Sequence, residues 1–234
     1  MGPDETNDKS FKEFMAWSPK KAPKSIGAIL KLPRSLTSFL GQSINLSKRY
    51  PAIASAEYLA KKHQHHPTIA SKTLDLGCGE HPRNPFGAEL VFGVDIRKDL
   101  EKGIKYADLS SDPIPFESNI FDFCTAYDVI EHIPRESWRN GIRKMAFLEL
   151  LNEIYRVLKP GGLFLHSTPA YPSKEAFQDP SHVNIITEDT MPNYFCLPRN
   201  WAKTHGYGFE GSFELIEQGW VNNIWLVSIM KAIK

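Results

Sequence analysis

The residues best suited to chemistry begin with two glycines that follow a short apolar run. Residues 73–80 read TLDLGCGE, in which Gly77 and Gly79 can adopt backbone angles closed to other residues and carry no side chain. At the carboxyl end of a strand, where open α/β sheets bind their ligands, such a pair lets a ligand rest directly on the backbone. Because G-x-G also arises by chance, the residues that follow decide whether this is a binding site.

Two acidic residues follow at positions suited to a nucleoside. Asp95 stands 20 residues after Asp75 and ends a second apolar run, so its carboxylate can accept hydrogen bonds from ribose hydroxyls. After a third run come Asp108 and Leu109, whose carboxylate and backbone N–H can contact the edge of an adenine. Together these residues predict a site for a ligand that contains adenosine.

The elements that must position these residues alternate between strand and helix, which predicts a parallel sheet. We predict strands near residues 72–76, 90–95, 104–107, 121–126 and 161–168, with a further antiparallel pair at 209–218 and 223–232. We predict helices at 52–62 and 136–158, the second from apolar residues at helical spacing that end before Gly161 and Gly162.

Taken in order, these motifs resemble those of the class I S-adenosylmethionine-dependent methyltransferases, firmly over residues 70–170. The resemblance implies a Rossmann-like seven-stranded α/β sheet with a reversed C-terminal strand, S-adenosylmethionine as the cofactor and S-adenosylhomocysteine as the product. It also implies a set of cofactor-binding residues, which are Asp75, Gly77, Cys78, Gly79, Asp95, Ile96, Asp108, Leu109, Ala126, Tyr127 and Asp128. His81 stands where many relatives carry a third glycine, and Pro82 follows, so we expect residues 80–89 to form a loop.

Two histidines are the candidates for a catalytic base. His182 lies in residues 178–184, QDPSHVN, which resemble an Asp-Pro-x-His-Val-Asn signature of a subset of small-molecule and glycan methyltransferases. Because an imidazole titrates near neutral pH, His182 can either deprotonate an acceptor hydroxyl or hold its loop closed over the cofactor. His132 follows Glu131 in a pair common in this family, where it either supports the start of a helix or takes part in catalysis.

Several other sites and functions are excluded by the residues present. A nicotinamide dinucleotide site requires Gly or Ala at position 82, which is Pro82. Amino-methylation of nucleic acid requires an Asn- or Asp-Pro-Pro-aromatic motif where residues 125–128 read TAYD, and a net charge of +1 gives no general attraction to nucleic acid. We predict no metal site, because Asp179 and His182 offer only two ligands. The histidines at 63, 65 and 66 lie in a linker without a cysteine or carboxylate partner.

The composition is that of a soluble globular protein, with 41% apolar and 24% charged residues. No apolar run reaches the roughly 18 residues of a membrane span, and no signal peptide is evident. The three cysteines have no paired spacing, which indicates a reducing compartment. We therefore expect a cytoplasmic protein.

We expect the chain to consist of an N-terminal tail and arm over residues 1–50 and a methyltransferase domain over 51–234. Between Lys20 and Arg49 the charge is basic, and Pro33 divides the apolar residues into two short amphipathic segments. Three roles are open for this helical arm: a lid over the substrate site, a weak contact of residues 20–49 with an anionic surface, or packing of its apolar face on the core.

The function predicted from these features is transfer of a methyl group from S-adenosylmethionine to a small-molecule acceptor. A hydroxyl of a sugar, glycan precursor or related metabolite is favoured over a nitrogen or carbon atom. The alternative is a non-catalytic, methyltransferase-like module that holds the cofactor or a protein partner.

Overall fold

The computed structural model describes residues 49–64, 70–97 and 101–234, and for Arg139 its backbone alone. The strands are β1 (Lys72–Leu76), β2 (Leu90–Asp95), β3 (Ile104–Tyr106), β4 (Phe121–Tyr127), β5 (Ser137–Arg139), β6 (Ile142–Lys144), β7 (Leu158–Pro169), β8 (Phe213–Val221) and β9 (Trp225–Ala232). The helices are α1 (Ala56–His63), α2 (Ala146–Val157), α3 (Glu175–Gln178), α4 (Thr190–Tyr194) and α5 (Trp201–Thr204), with a 3-10 helix at Ile130–His132. Apart from residues 49 and 50, the expected tail and arm lie outside the described residues, as do the histidines at 65 and 66.

Seven strands form one sheet in the order β3-β2-β1-β4-β7-β9-β8. The first five strands in this order are parallel, and β9 pairs antiparallel with both β7 and β8. This arrangement confirms the predicted α/β fold and its reversed strand. The carboxyl ends of the parallel strands meet at one edge, where the loops that carry the predicted site begin.

Apolar clusters cover both faces of the sheet, which explains why its central strands are almost continuously apolar. Along β7, Leu163 and Leu165 join the cluster that contains α1, whereas Phe164 joins the larger cluster that contains α2. Helix α1 begins after Ser55, whose hydroxyl accepts the backbone N–H of Tyr58 at 3.1 Å. Among the helices described, none has the length and apolar character that a membrane crossing requires.

The predicted helix over residues 136–158 is wrong over residues 136–145. Residues 137–144 form the antiparallel hairpin β5–β6, and helix α2 starts only at Ala146. Asn140 and Gly141 at the tip have φ angles of 51° and 76°, as a two-residue hairpin turn with both central residues in the left-handed region requires. Ile142, which the helical pattern placed on the apolar face, is 62% exposed. The local preference of the Asn-Gly pair for a turn outweighs the helical periodicity here.

The loop after β1 is irregular over residues 80–89, as predicted from Pro82. Phe86 anchors it, because this ring is fully buried and stacks on Phe123 of β4 with the ring centroids 4.4 Å apart. The loop is therefore fixed to the sheet without a helix beneath it.

Candidate functional site

The two glycines after β1 have different structural reasons to be glycine. Both have positive φ angles, 60° at Gly77 and 63° at Gly79. A Cβ atom on Gly77 would overlap Cγ2 of Val129, so the loop after β4 packs directly on this backbone. A Cβ atom on Gly79 would meet only the flexible guanidinium of Arg97, at 3.5 Å. Gly77 thus allows two loops to approach, and Gly79 leaves an open surface on which a ligand can lie.

Cys78, between the glycines, turns its side chain towards the sheet. A Cβ atom on Gly93 of β2 would lie only 2.5 Å from Sγ of Cys78, so the thiol packs against β2 where Gly93 has no side chain. Burial raises the pKa of the Cys78 thiol to about 11, and the side chain is therefore a thiol at neutral pH. A protonated, packed thiol indicates that Cys78 fills space in the loop and does not act as a nucleophile.

Asp75 holds the glycine loop to the sheet. Its carboxylate is buried and accepts hydrogen bonds from the backbone N–H of Arg83 at 2.8 Å and from the hydroxyl of Thr125 at 2.6 Å. Burial outweighs these hydrogen bonds and raises the pKa of Asp75 to about 6. The structure thus gives Asp75 a role in shaping the site, and a direct contact with the cofactor stays a prediction.

Asp95 ends β2 beside the open surface at Gly79. One carboxylate oxygen accepts the N–H of Gly79 at 2.8 Å, and the other accepts the backbone N–H and Nε of Arg97, each at 3.0 Å. Although burial opposes ionisation, these hydrogen bonds hold the pKa of Asp95 below its ordinary value. The neighbouring Ile96 is 64% exposed at the same strand end.

Asp108 lies two residues beyond β3, whose last residue, Tyr106, pairs with Asp95 in the sheet, and the N–H of Ala107 donates to the carbonyl of Asp95 at 3.1 Å. Its Oδ1 atom accepts the N–H and the hydroxyl of Ser110, at 3.0 and 2.6 Å, which fixes a turn after β3. Leu109 is buried and offers its backbone at this turn. The predicted ribose and adenine residues are therefore brought to one edge of the sheet.

The three residues predicted at the end of β4 have different surroundings. Ala126 is buried in the sheet, and the ring of Tyr127 lies beneath the guanidinium of Arg83, 4.3 Å from ring centroid to carbon. Asp128 has a φ angle of 52°, and its Oδ1 atom accepts the indole N–H of Trp225 at 2.9 Å. This left-handed residue ends the strand and starts the turn towards the 3-10 helix.

The two candidate bases come together although 50 positions separate them in the sequence. The rings of His132 and His182 contact each other edge to face, with centroids 4.8 Å apart. Nδ1 of His132 lies 3.2 Å from the carbonyl oxygen of Ser181, and Nδ1 of His182 lies 3.0 Å from that of Glu175. In the tautomer that donates from Nδ1 to these carbonyls, each ring presents the lone pair of Nε2.

Glu131 lies beside the two histidines and is 1% exposed. Its Oε2 atom accepts the hydroxyl of Thr168 at 2.7 Å, while its buried Oε1 atom has no hydrogen-bond partner among the described residues. Burial, the largest cause, raises the pKa of Glu131 to about 7. In the sequence, Glu131 stands out only as the neighbour of His132, and no local pattern of apolar residues predicts that its side chain is buried.

The segment that carries His182 is fixed against the 3-10 helix by Asn184. Its backbone N–H donates to the carbonyl of Glu131 at 2.9 Å, and its side-chain amide donates to the carbonyl of Ile130 at 3.1 Å. The Asn184 side-chain oxygen in turn accepts Nε of Arg135 at 2.8 Å. This explains the asparagine of the QDPSHVN segment, which sequence reasoning left without a role.

A cavity of about 330 Å³ opens beside this segment. Arg135 belongs to its wall and also holds Asn184, so the cavity adjoins the loop that carries His182. The rest of the wall is mainly apolar and is formed by Met145, Phe147, Leu148, Tyr194, Phe195 and Tyr207, with Thr187, Asp189 and Thr190 as polar members.

Comparison with known proteins gives a family and several relatives. A family model described as "Methyltransferase domain" matches residues 29–218. Squalene methyltransferase 1 of Botryococcus braunii is 27% identical over 207 residues, which cover 75% of this chain and 50% of that protein. Sterol 24-C-methyltransferase erg6 of Schizosaccharomyces pombe is 26% identical over 146 residues, which cover 53% of this chain and 35% of that protein. The chain thus spans half or less of the length of these relatives.

A solved structure shows the same fold at low identity. The protein PH0226 of Pyrococcus horikoshii OT3 has a TM-score of 0.50 and 20% identity, over 75% of this chain and 87% of that chain.

Proposed function

The chain belongs to the methyltransferase-domain family, the class I S-adenosylmethionine-dependent methyltransferases, and on that premise we propose that it methylates a hydroxyl group of a small-molecule acceptor. The observation that carries the proposal is the contact between His132 and His182, with Nδ1 of each ring held by a backbone carbonyl. Such a ring is oriented to accept a proton at Nε2.

The edge formed by β1, β2 and β3 fits the cofactor. Gly79 leaves an open surface, and Asp95 and Asp108 follow at the ends of the paired strands β2 and β3, on the same edge of the sheet, as a nucleoside requires. We assign the methionine portion to the loop over residues 77–79 and to the end of β4, the ribose to Asp95 and Ile96, and the adenine to Asp108 and Leu109. When bound, S-adenosylmethionine supplies an electrophilic methyl group on its sulfonium sulfur.

We assign His182 as the general base and His132 as its partner. As the acceptor oxygen attacks, its proton would pass to Nε2 of His182, and the carbonyl of Glu175 at Nδ1 would keep the ring in place. His132 packs edge to face on this ring and limits its rotation. Asn184 holds the loop and so fixes the distance between the base and the end of β4.

The cavity beside this loop is our candidate for the site of the acceptor. Its mainly apolar wall favours an acceptor with an apolar portion, so it lends no support to the sugar or glycan precursor predicted from the sequence. Because of this wall, and because the similar proteins include a squalene and a sterol methyltransferase, the second candidate is methylation at carbon of an apolar acceptor.

The proposal is tested in two steps. Calorimetric titration with S-adenosylmethionine and S-adenosylhomocysteine should give one site per chain. Hydroxylated and unsaturated acceptors are then incubated with a cofactor that carries a trideuterated methyl group, and the products are identified by mass spectrometry. We expect His182→Gln to lower methylation at oxygen at least tenfold with little change in affinity for S-adenosylhomocysteine.

His63→Gln is the matched control, because this histidine ends α1, where its Nε2 lies 2.6 Å from a carboxylate oxygen of Glu217, and it belongs neither to the pair nor to the cavity wall. Equal methylation by the parent and the His182→Gln variant would contradict the role of base. Binding of the cofactor without transfer to any acceptor would favour the non-catalytic module. Products labelled at carbon alone would favour the second candidate.

A further inference from the structure

We propose that Glu131, His132 and His182 form a binding site for a divalent transition-metal ion. One ligand atom from each side chain, a carboxylate oxygen and two imidazole nitrogens, lies within 4.8 Å of the other two. Glu131 and His132 come from the 3-10 helix after β4, and His182 comes from the loop after α3. The sequence predicted no metal site, because no short spacing of ligands marks it; the fold assembles it.

The buried carboxylate of Glu131 is an independent sign of a cation. Thr168 satisfies Oε2 at 2.7 Å, but Oε1 is buried and finds no hydrogen-bond donor within the part of the chain that the structure describes. A buried carboxylate oxygen without a partner is unfavourable, because it has lost its hydrogen bonds to water and nothing replaces them. A metal ion on Oε1 would remove this cost, and the hydrogen bond from Thr168 would fix the orientation of the carboxylate.

The two histidines are oriented as metal ligands are. A histidine that binds a metal through one ring nitrogen commonly donates the other N–H to a carbonyl or carboxylate, which fixes the tautomer. His132 and His182 each have such a partner at Nδ1, the carbonyls of Ser181 and Glu175. Their Nε2 atoms are thereby left as the ligand atoms.

The donor set indicates which ions fit. Two imidazoles and one carboxylate suit Zn²⁺, Fe²⁺ or Co²⁺ better than Mg²⁺ or Ca²⁺, which prefer oxygen ligands. With bonds of about 2.1 Å, ligand atoms of one ion lie roughly 3–4 Å apart, so the three ligand atoms would approach one another by about 1 Å when the ion binds. Asp179, whose Oδ2 lies 4.0 Å from Nε2 of His182, adds negative charge at the rim.

Three protein ligands leave coordination positions open, as in catalytic rather than structural metal sites. The inference rests on the proposed function for the role of the ion, though not for its binding. An acceptor hydroxyl bound to the ion would lose its proton to water more easily, as metal-bound water does. His182 would then act as a ligand, and the ion would replace it as the group that activates the acceptor.

The test uses the full chain, freed of metal with EDTA and exchanged into metal-free buffer. Zn²⁺ binding is measured by calorimetry and Co²⁺ binding by visible absorption, for the parent and for His182→Gln, His132→Gln, Glu131→Gln and the control His63→Gln. Binding of S-adenosylhomocysteine by the same samples reports whether each variant is folded. We expect one ion per chain, at least tenfold weaker binding in the three cluster variants, and no change in the control.

A parent chain that binds S-adenosylhomocysteine but neither Zn²⁺ nor Co²⁺ would overturn the site. So would ion binding that His182→Gln and His132→Gln leave unchanged, because the ion would then lie elsewhere. If Glu131→Gln does not fold, the two histidine variants decide the question. Once an acceptor is known, methylation that EDTA does not affect would overturn the role of the ion in catalysis, whereas failure to find any acceptor bears on the proposed function alone.

Discussion

Replacing the two glycines of the β1 loop by alanine should separate a structural role from a binding role. Gly77→Ala places a Cβ atom on backbone with a φ angle of 60°, which costs about 1–2 kcal/mol, and against Cγ2 of the buried Val129. Forcing extra volume into a packed site costs about 1–3 kcal/mol more. Gly79→Ala has a φ angle of 63° and open space beside it, so only the backbone cost of about 1–2 kcal/mol applies.

Urea unfolding in the absence of cofactor measures these costs. The double variant Gly77→Ala/Val129→Ala provides the matched control, because removing the valine methyl groups relieves the overlap and leaves the backbone strain. We expect Gly77→Ala to lose about 2–5 kcal/mol in the parent but only about 1–2 kcal/mol in the Val129→Ala background. The difference is the interaction energy of the two side chains.

Calorimetry with S-adenosylhomocysteine gives the second readout. Because the open side of Gly79 is where we place the ligand, Gly79→Ala should weaken binding at least tenfold while its stability falls only by the backbone cost of about 1–2 kcal/mol. A Gly79→Ala variant that binds like the parent would refute this placement of the cofactor. Absence of coupling between Gly77→Ala and Val129→Ala would refute the steric reason given for Gly77.

Three further predictions concern other parts of the chain. His166 is fully buried, and this burial lowers its pKa to about 3. Between about pH 3 and about 6.5, the ordinary pKa of histidine, the unfolded state therefore binds more protons than the folded state, so stability falls as the pH is lowered through this range. His166→Phe should remove this component, about 1.4 kcal/mol per pH unit, which urea unfolding at pH 6.5 and pH 5 measures as a difference from the parent. Arg97→Ala removes the Nε donor to Oδ1 of Asp95 and keeps the backbone donor, so it should bind S-adenosylhomocysteine as tightly as the parent or more tightly, whereas Asp95→Asn should bind at least tenfold more weakly. Calorimetry that reversed this order would contradict the assignment of Asp95 to the ribose. Asn184→Ala removes the side-chain donor to the carbonyl of Ile130 and the acceptor of Nε of Arg135, so it should lower stability by about 1–3 kcal/mol and reduce methylation more than cofactor binding. Equal losses of both would show that the loop has no special relation to the acceptor.

The parts of the fold that local sequence determines were predictable. Short apolar runs followed by glycine or aspartate predicted strands β1 to β4 and the edge at which Gly79, Asp95 and Asp108 lie, because strand ends are marked by residues adjacent in sequence. The hairpin β5–β6 differs from the predicted helix because the Asn-Gly pair at its tip favours a tight turn more strongly than the helical spacing of the apolar residues favours a helix. The pair is a local signal for a hairpin, because Asn and Gly tolerate the two positive φ angles that such a turn requires.

The arrangement around Glu131 was not predictable in the same way. Its burial and the contact between His132 and His182 depend on how the loops after β4 and β7 meet, and no local pattern encodes that meeting. From the sequence, His182 lies in a loop that contains proline, and either role is open: it can deprotonate an acceptor hydroxyl or hold its loop closed over the cofactor. In the register of β4 against β7, Tyr127 pairs with Ser167, so the loops that follow the two strands begin next to each other at the edge of the sheet.

The site divides along the edge of the sheet into two halves with different constraints. The half over β1, β2 and β3 is built from backbone angles and short acidic turns, where substitution changes the cofactor site itself. The half over β4 and β7 is built from residues 128–135 and 170–186, which carry the histidine cluster and border the cavity. Among the described residues, the hydrogen bonds of Asn184 and Arg135 connect loops of the second half, so changes in the cavity wall can alter the acceptor without disturbing Asp95 or Gly79. Substitutions of Met145 or Tyr194 in that wall should accordingly change which acceptors are methylated, while the affinity for S-adenosylhomocysteine stays within about twofold. A large loss of that affinity would place the cavity within the cofactor site instead.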